Sequence, residues 1–228
     1  MKRRLLCAAG LLAGCASGPS ERSVAQTAPA AAGAPPSGGR LWRLDAAASR
    51  LRFVVFRGGA AARLGHHHIA QTREASGWLW LPEQGQQGAQ GRIEVPLAGL
   101  ALDDPAWRRE AGGEFDEKPV SEEDRVGTLR KLRLALQADA HPSVVLQLLE
   151  LGGSPPWWVA EVRLQAGGGE ARLRSALAVQ AVDGGWHTQG LLALRHADLG
   201  LRPFSVLGGL LAVREELVLD FQLRWRRD

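Results

Sequence analysis

Three consecutive histidines, His66, His67 and His68, are the densest chemical feature of the chain. Side chains alternate in an extended segment, so His66 and His68 point to one side. Two imidazoles at that spacing can chelate zinc, copper or nickel if His141, His187 or His196 supplies a third ligand. The same pair can instead contact a polar head group at the rim of a cavity, with Arg202 as a cationic companion. A third reading has the rings hydrogen-bonded to carbonyls in a strand-end turn.

Cysteine chemistry is confined to the N-terminus. Residues 1–14 read as a secretory signal, with Lys2, Arg3 and Arg4 followed by an apolar run from Leu5 to Ala13 that is too short to span a bilayer. Leu12-Ala13-Gly14-Cys15 resembles a bacterial lipobox, which predicts cleavage before Cys15 and acylation of its thiol. By the same resemblance to lipoproteins, Ala16 rather than Asp after the cysteine implies sorting to the outer membrane. Cys7 leaves with the signal, so the folded part has no thiol for a disulfide, a nucleophile or a zinc ligand.

Other chemistry is sparse. Residues 103–124 carry nine acids, from Asp103 to Asp124, against Arg108, Arg109 and Lys118. They show no EF-hand spacing, and read as a solvated loop and helix start. There is no G-x-S-x-G elbow, P-loop, H-E-x-x-H or dinucleotide fingerprint, so the chain reads as a non-enzyme with no required cofactor.

The net charge of +4 invites a nucleic-acid reading. Removing Lys2, Arg3 and Arg4 leaves 25 bases against 24 acids, and starting at Leu41 leaves 23 of each. The basic character therefore belongs to the export segment, and nucleic acid is not an expected partner.

The elements that must position these residues are strands. Residues 15–40 are dominated by Ala, Pro, Gly and Ser, and read as a flexible tether behind the lipidated cysteine. From residue 41 to residue 228 the pattern has period two: Leu51, Phe53 and Val55 share a face, Trp78 and Trp80 alternate with Leu79 and Leu81, and Ile93 and Val95 alternate with charges. Later runs repeat it through Trp158 to Leu164, Leu173 to Val179, Leu192 and Leu194, and Leu217 to Trp225. Turns such as Gly167-Gly168-Gly169 separate them. Eight or nine such segments predict an all-β antiparallel sandwich or closed barrel. One short helix is expected after Ser121, with Val126, Leu129, Leu132 and Leu136 on its apolar face, closing one end of the barrel.

Several local patterns, in order, resemble the YceI-like polyisoprenoid-binding family. They are Leu41-Trp42-Arg43-Leu44-Asp45 with Ser49 to Phe56, Ala75-Ser76-Gly77-Trp78, His141-Pro142-Ser143-Val144-Val145-Leu146, and His196-Ala197-Asp198-Leu199-Gly200-Leu201-Arg202-Pro203-Phe204 before Gly208-Gly209 and the last strand. The family's Phe in the Pro-led strand is Val145 or Leu146 here, and Trp42 stands for its first Tyr. The stretch from Gly58 to Ile69 resembles a sub-branch with a Gly-His-x-His turn.

The resemblance implies a lipocalin-like antiparallel β-barrel from residue 41 to 228 that holds an isoprenoid or quinone-like amphiphile, for carriage or storage, in the bacterial envelope. Membrane contact would run through the Cys15 lipid anchor on the periplasmic side. Phe53, Val55, Trp80, Val95, Leu146, Leu164, Leu192, Leu194 and Phe204 are the expected tail contacts, with His66, His68 and Arg202 at the head. A periplasmic metal-binding protein using His66 and His68 is the alternative.

Overall fold

The computed structural model describes residues 34–228. The signal segment, Cys15 and the tether up to residue 33 lie outside the described residues. Among those described, no helix is long and apolar enough to cross a membrane.

Twelve strands form one antiparallel sheet: β1 (Arg40–Leu44), β2 (Arg50–Gly58), β3 (His68–Gln71), β4 (Ser76–Leu81), β5 (Gln90–Pro96), β6 (Ala101–Leu102), β7 (Ser143–Ser154), β8 (Trp157–Ala166), β9 (Gly169–Val182), β10 (Gly185–Arg195), β11 (Ser205–Val206) and β12 (Leu211–Arg227). Eight of them close a ring, β1-β4-β5-β7-β8-β9-β10-β12, with β12 returning to β1 through Trp42↔Arg227 and Leu44↔Trp225. The fold is a lipocalin-like all-β barrel, as the alternating pattern predicts. Closure leaves the eight-strand ring itself without an unpaired edge.

β12 is long enough to serve two partners. Its C-terminal end pairs β1, while Ala212 to Gln222 pairs β2, which continues to β3 and then β6. This branch ends at β6, and helix α3 packs beside it. Helix α3 spans Glu122–Ala135 and starts where predicted, with Ser121 Oγ accepting the Asp124 N–H. Leu129, Leu132 and Leu136 pack on the core, but Val126 is 60% exposed. Arg133 and Gln137 tie the far end of α3 to the carbonyls of Leu97, Ala98 and Gly167.

Two further helices correct the expectation of one. Helix α1 (Pro105–Ala111) and helix α2 (Glu114–Glu117) occupy the stretch read as a solvated loop. Asp104 caps α1 by accepting the Ala106 N–H, and Pro105 at the first helical position has its φ already set. Seven of the nine acids are exposed, as expected of a solvated stretch, but two of those seven also tie the helices down. Glu110 binds Arg50 and Arg52, and Glu114 binds Arg57 and His67, so bases on β2 hold both helices to the sheet.

The core is the barrel interior. Its buried apolar residues run from Trp42 to Trp225, so the segment Pro35–Asp228 contains a complete core and closes its own sheet. Trp158 is 4% exposed and Trp157 68%, as adjacent residues of one strand must divide.

Candidate ligand-binding site

The inward faces leave space because several of their residues are small, among them Ala70, Ala160 and Ala166. Two apolar chambers lie along the lumen. The smaller one, termed the inner chamber although it is no more enclosed than the other, is about 110 Å³ and is lined by residues that include Leu51, Leu146, Trp158, Leu192 and Phe221. The mouth chamber, about 340 Å³, is lined by Phe53, Val55, Leu164, Leu194, Leu217 and Phe204 with the inner side of α3. On β12, Leu217 lines the mouth chamber and Phe221 the inner one. Leu219 between them is wholly buried, as is Val95 on the same side of β5 as Gly91 and Ile93. These two side chains mark the partition.

The inner chamber has Arg92, Ser175 and Thr188 as its polar lining, and the mouth chamber carries more polar groups, two of them cations. His68, Thr128, Lys131, His196 and Arg202 line it, and no carboxylate does. Lys131 Nζ lies 5.0 Å from the centre of the Phe204 ring, a cation–π contact at the rim.

His68 is held from behind. Its Nδ1 lies 2.6 Å from Asp103 Oδ2, while Asp103 Oδ1 accepts Arg108 Nη1 and the Ile69 N–H, each at 2.9 Å. The Asp103 side chain has no exposure, so a carboxylate there requires this full set of partners. An ionised carboxylate only accepts, so His68 Nδ1 carries the donated proton and Nε2 is left for the chamber. His196 is fixed in the same sense by Nδ1 at 2.9 Å from the Glu215 carbonyl.

The three neighbouring histidines have different surroundings. His67 packs between Phe56 and Phe115 and meets Glu114 Oε2 at 2.6 Å, which holds the Glu114 carboxyl below its ordinary pKa with help from Arg57. His66 does not line either chamber. Burial, then His68, Arg108 and Lys118, hold its pKa below the usual value, against an opposing pull from Asp124. The His66 and His68 ring centres are 6.3 Å apart. Among the described residues no group of three or more His, Cys, Asp or Glu side chains is placed to hold a metal.

Of the residues named from sequence, Phe53, Val55, Leu164, Leu194, Phe204, His68 and Arg202 meet at the mouth chamber, and Leu146 and Leu192 at the inner one. Val95 belongs to the partition. Trp80 is a correction: Leu79 and Leu81 occupy the buried face of β4, so alternation turns Trp80 outward, where its Nε1 donates to the Gly38 carbonyl at 2.6 Å. Sequence reasoning missed Asp103, Thr128 and Lys131. Asp103 meets His68 across 35 positions, and no local spacing encodes that contact.

No family model and no curated protein matches the chain. A solved structure does match. BcnA of Burkholderia cenocepacia superposes with a TM-score of 0.53 at 11% identity, over 79% of this chain and 98% of that one. At that identity the likeness shows the shared barrel fold.

Proposed function

We propose that the barrel is a non-catalytic carrier or store for an isoprenoid or quinone-like amphiphile, and that it is a YceI-like protein tethered in the bacterial envelope through a lipid on Cys15. The observation that carries this reading is the mouth chamber, an apolar space rimmed by cationic and imidazole groups with no acid. Such a lining matches a molecule with a long apolar tail and an oxygen-bearing head. Each methylene removed from water contributes about 0.8 kcal/mol, so the tail supplies affinity and a few head contacts supply orientation.

His68 Nε2, oriented by Asp103, and Arg202 are the head contacts in this reading, with His66 behind them as a neighbour of Arg108 and Lys118. Phe53, Val55, Leu164, Leu194 and Phe204 hold the first part of the tail. A longer tail reaches Leu146 and Leu192 by displacing the layer at Leu219 and Val95. The outer-membrane, periplasm-facing location follows from the residues around Cys15 alone.

Native mass spectrometry of the purified barrel, with organic extraction, tests the reading. A bound polyprenyl or quinone-like mass is the expected result. Failure to retain or take up any polyprenyl compound, with the chambers shown filled by side chains, sinks it. His68→Ala and Arg202→Ala should each weaken binding about tenfold, through loss of one head contact.

A further inference from the structure

The mouth chamber opens beside two chain tips with a concentration of exposed apolar surface. Of ten large hydrophobic side chains exposed among the described residues, five, Leu64, Phe204, Val206, Leu207 and Leu210, come from residues 58–65 and 204–210. The two tips form one surface. The Ala61 N–H donates to the Leu210 carbonyl at 2.8 Å, and Gly59 lies so near that a Cβ would come within 2.5 Å of the Gly209 and Leu210 oxygens. Leu207 is 70% exposed with a φ of +52°, a left-handed conformation that leucine rarely adopts. An apolar residue kept out of the core at the expense of its own backbone preference is a candidate contact residue.

The patch is continuous with the chamber and basic at its border. Phe204 lines the chamber and is also 42% exposed, so apolar surface runs from inside to outside. Arg63 lies on the first tip, Lys131 and Arg202 on the chamber rim, and Arg214 packs against Gly58. Among the described residues none of these four forms a salt bridge. On β12, next to Arg214, Glu215 accepts the Ala197 N–H at 2.7 Å and the exposed Glu216 lies opposite Arg195 of β10.

Building on the amphiphile-binding reading, we infer that this end of the barrel docks on an anionic phospholipid bilayer. Leu64, Val206, Leu207 and Leu210 enter the acyl boundary while Arg63 and Arg214 meet lipid phosphates, with Lys131 and Arg202 at the chamber rim behind them. An amphiphile then passes between bilayer and mouth chamber along Phe204 without crossing water.

The segment Pro35–Asp228, which lacks any acyl anchor of its own, is mixed with vesicles of phosphatidylglycerol and phosphatidylcholine and sedimented. Wild type should sediment, with less bound at high salt or on phosphatidylcholine alone, and Leu207→Asp with Leu210→Asp should reduce binding about tenfold or more. Neither leucine lines a chamber or belongs to the core, so the melting temperature should hold. Leu64→Asp on the other tip gives the same reading should that pair impair folding. Uptake of a fluorescent fatty-acid probe from solution is measured in parallel and reports the chamber alone. Loss of that uptake with sedimentation intact removes the amphiphile reading and leaves the docking. Wild type that stays in the supernatant, or Asp variants that sediment like wild type, overturns the docking whatever the probe shows.

Discussion

Asp103 shows how one side chain organises a site it does not touch from the open side. It is without exposure, its φ is +53°, and it joins β3, α1 and His68. Removing one partner of a buried pair leaves the other charge uncompensated, so Asp103→Ala should cost about 3–5 kcal/mol in denaturant unfolding. Asp103→Asn should cost less, because Asn tolerates left-handed backbone and keeps an acceptor. His66 sets a dependence on pH. Its folded pKa lies below the 6.5 of the free side chain, so the unfolded state takes up the proton first and stability falls as pH drops through about 6.5. His66→Gln should flatten that part of the urea midpoint plotted against pH. Glu114 acts lower on the scale. Its folded pKa is depressed, so its contribution is complete above the unfolded value of 4.5 and is lost as pH falls through the folded one.

At the scale of elements, the helices between β6 and β7 turn an open end into a rimmed one. Among the described residues the β12–β2–β3–β6 branch has no further strand partner after β6, and α3 supplies Leu132, Ala135 and Lys131 there instead. Ser121→Ala removes the cap of α3 and should cost about 1 kcal/mol, measured by thermal or denaturant unfolding. Its effect on ligand retention should exceed its effect on the barrel core, because α3 forms one side of the mouth. Glu110→Gln weakens the tie of α1 to Arg50 and Arg52. With Glu110 51% exposed, solvent screening limits the loss to a few tenths of a kcal/mol, or about 0.5.

For the whole molecule, the lumen is two chambers with a shared apolar layer rather than one open tube. Leu219→Ala should cost about 2–5 kcal/mol, since the residue is completely buried between packed strands. The same change should join the chambers and raise affinity for longer-tailed probes relative to short ones, read by competition with a fluorescent fatty acid.

The alternation along β2, β8, β10 and β12 was legible in the sequence because a half-buried strand must place every second side chain in the core. For the same reason Leu51, Phe53, Val55, Leu192 and Leu194 could be assigned inward, and Ser121 could be read as a helix start from local hydrogen-bonding chemistry. On β4 both faces are apolar, so period alone did not choose between Trp80 and Leu79, and burial decided it. Asp103, Glu110 and Glu114 could not be told from the solvated acids around them because their partners, Arg50, Arg52, Arg57 and His68, sit tens of positions away. Only the folded chain brings those charges within hydrogen-bond reach, lays two apolar tips beside one mouth, and leaves the lumen hollow, because packing density depends on how facing side chains meet and not on the order in which they are written.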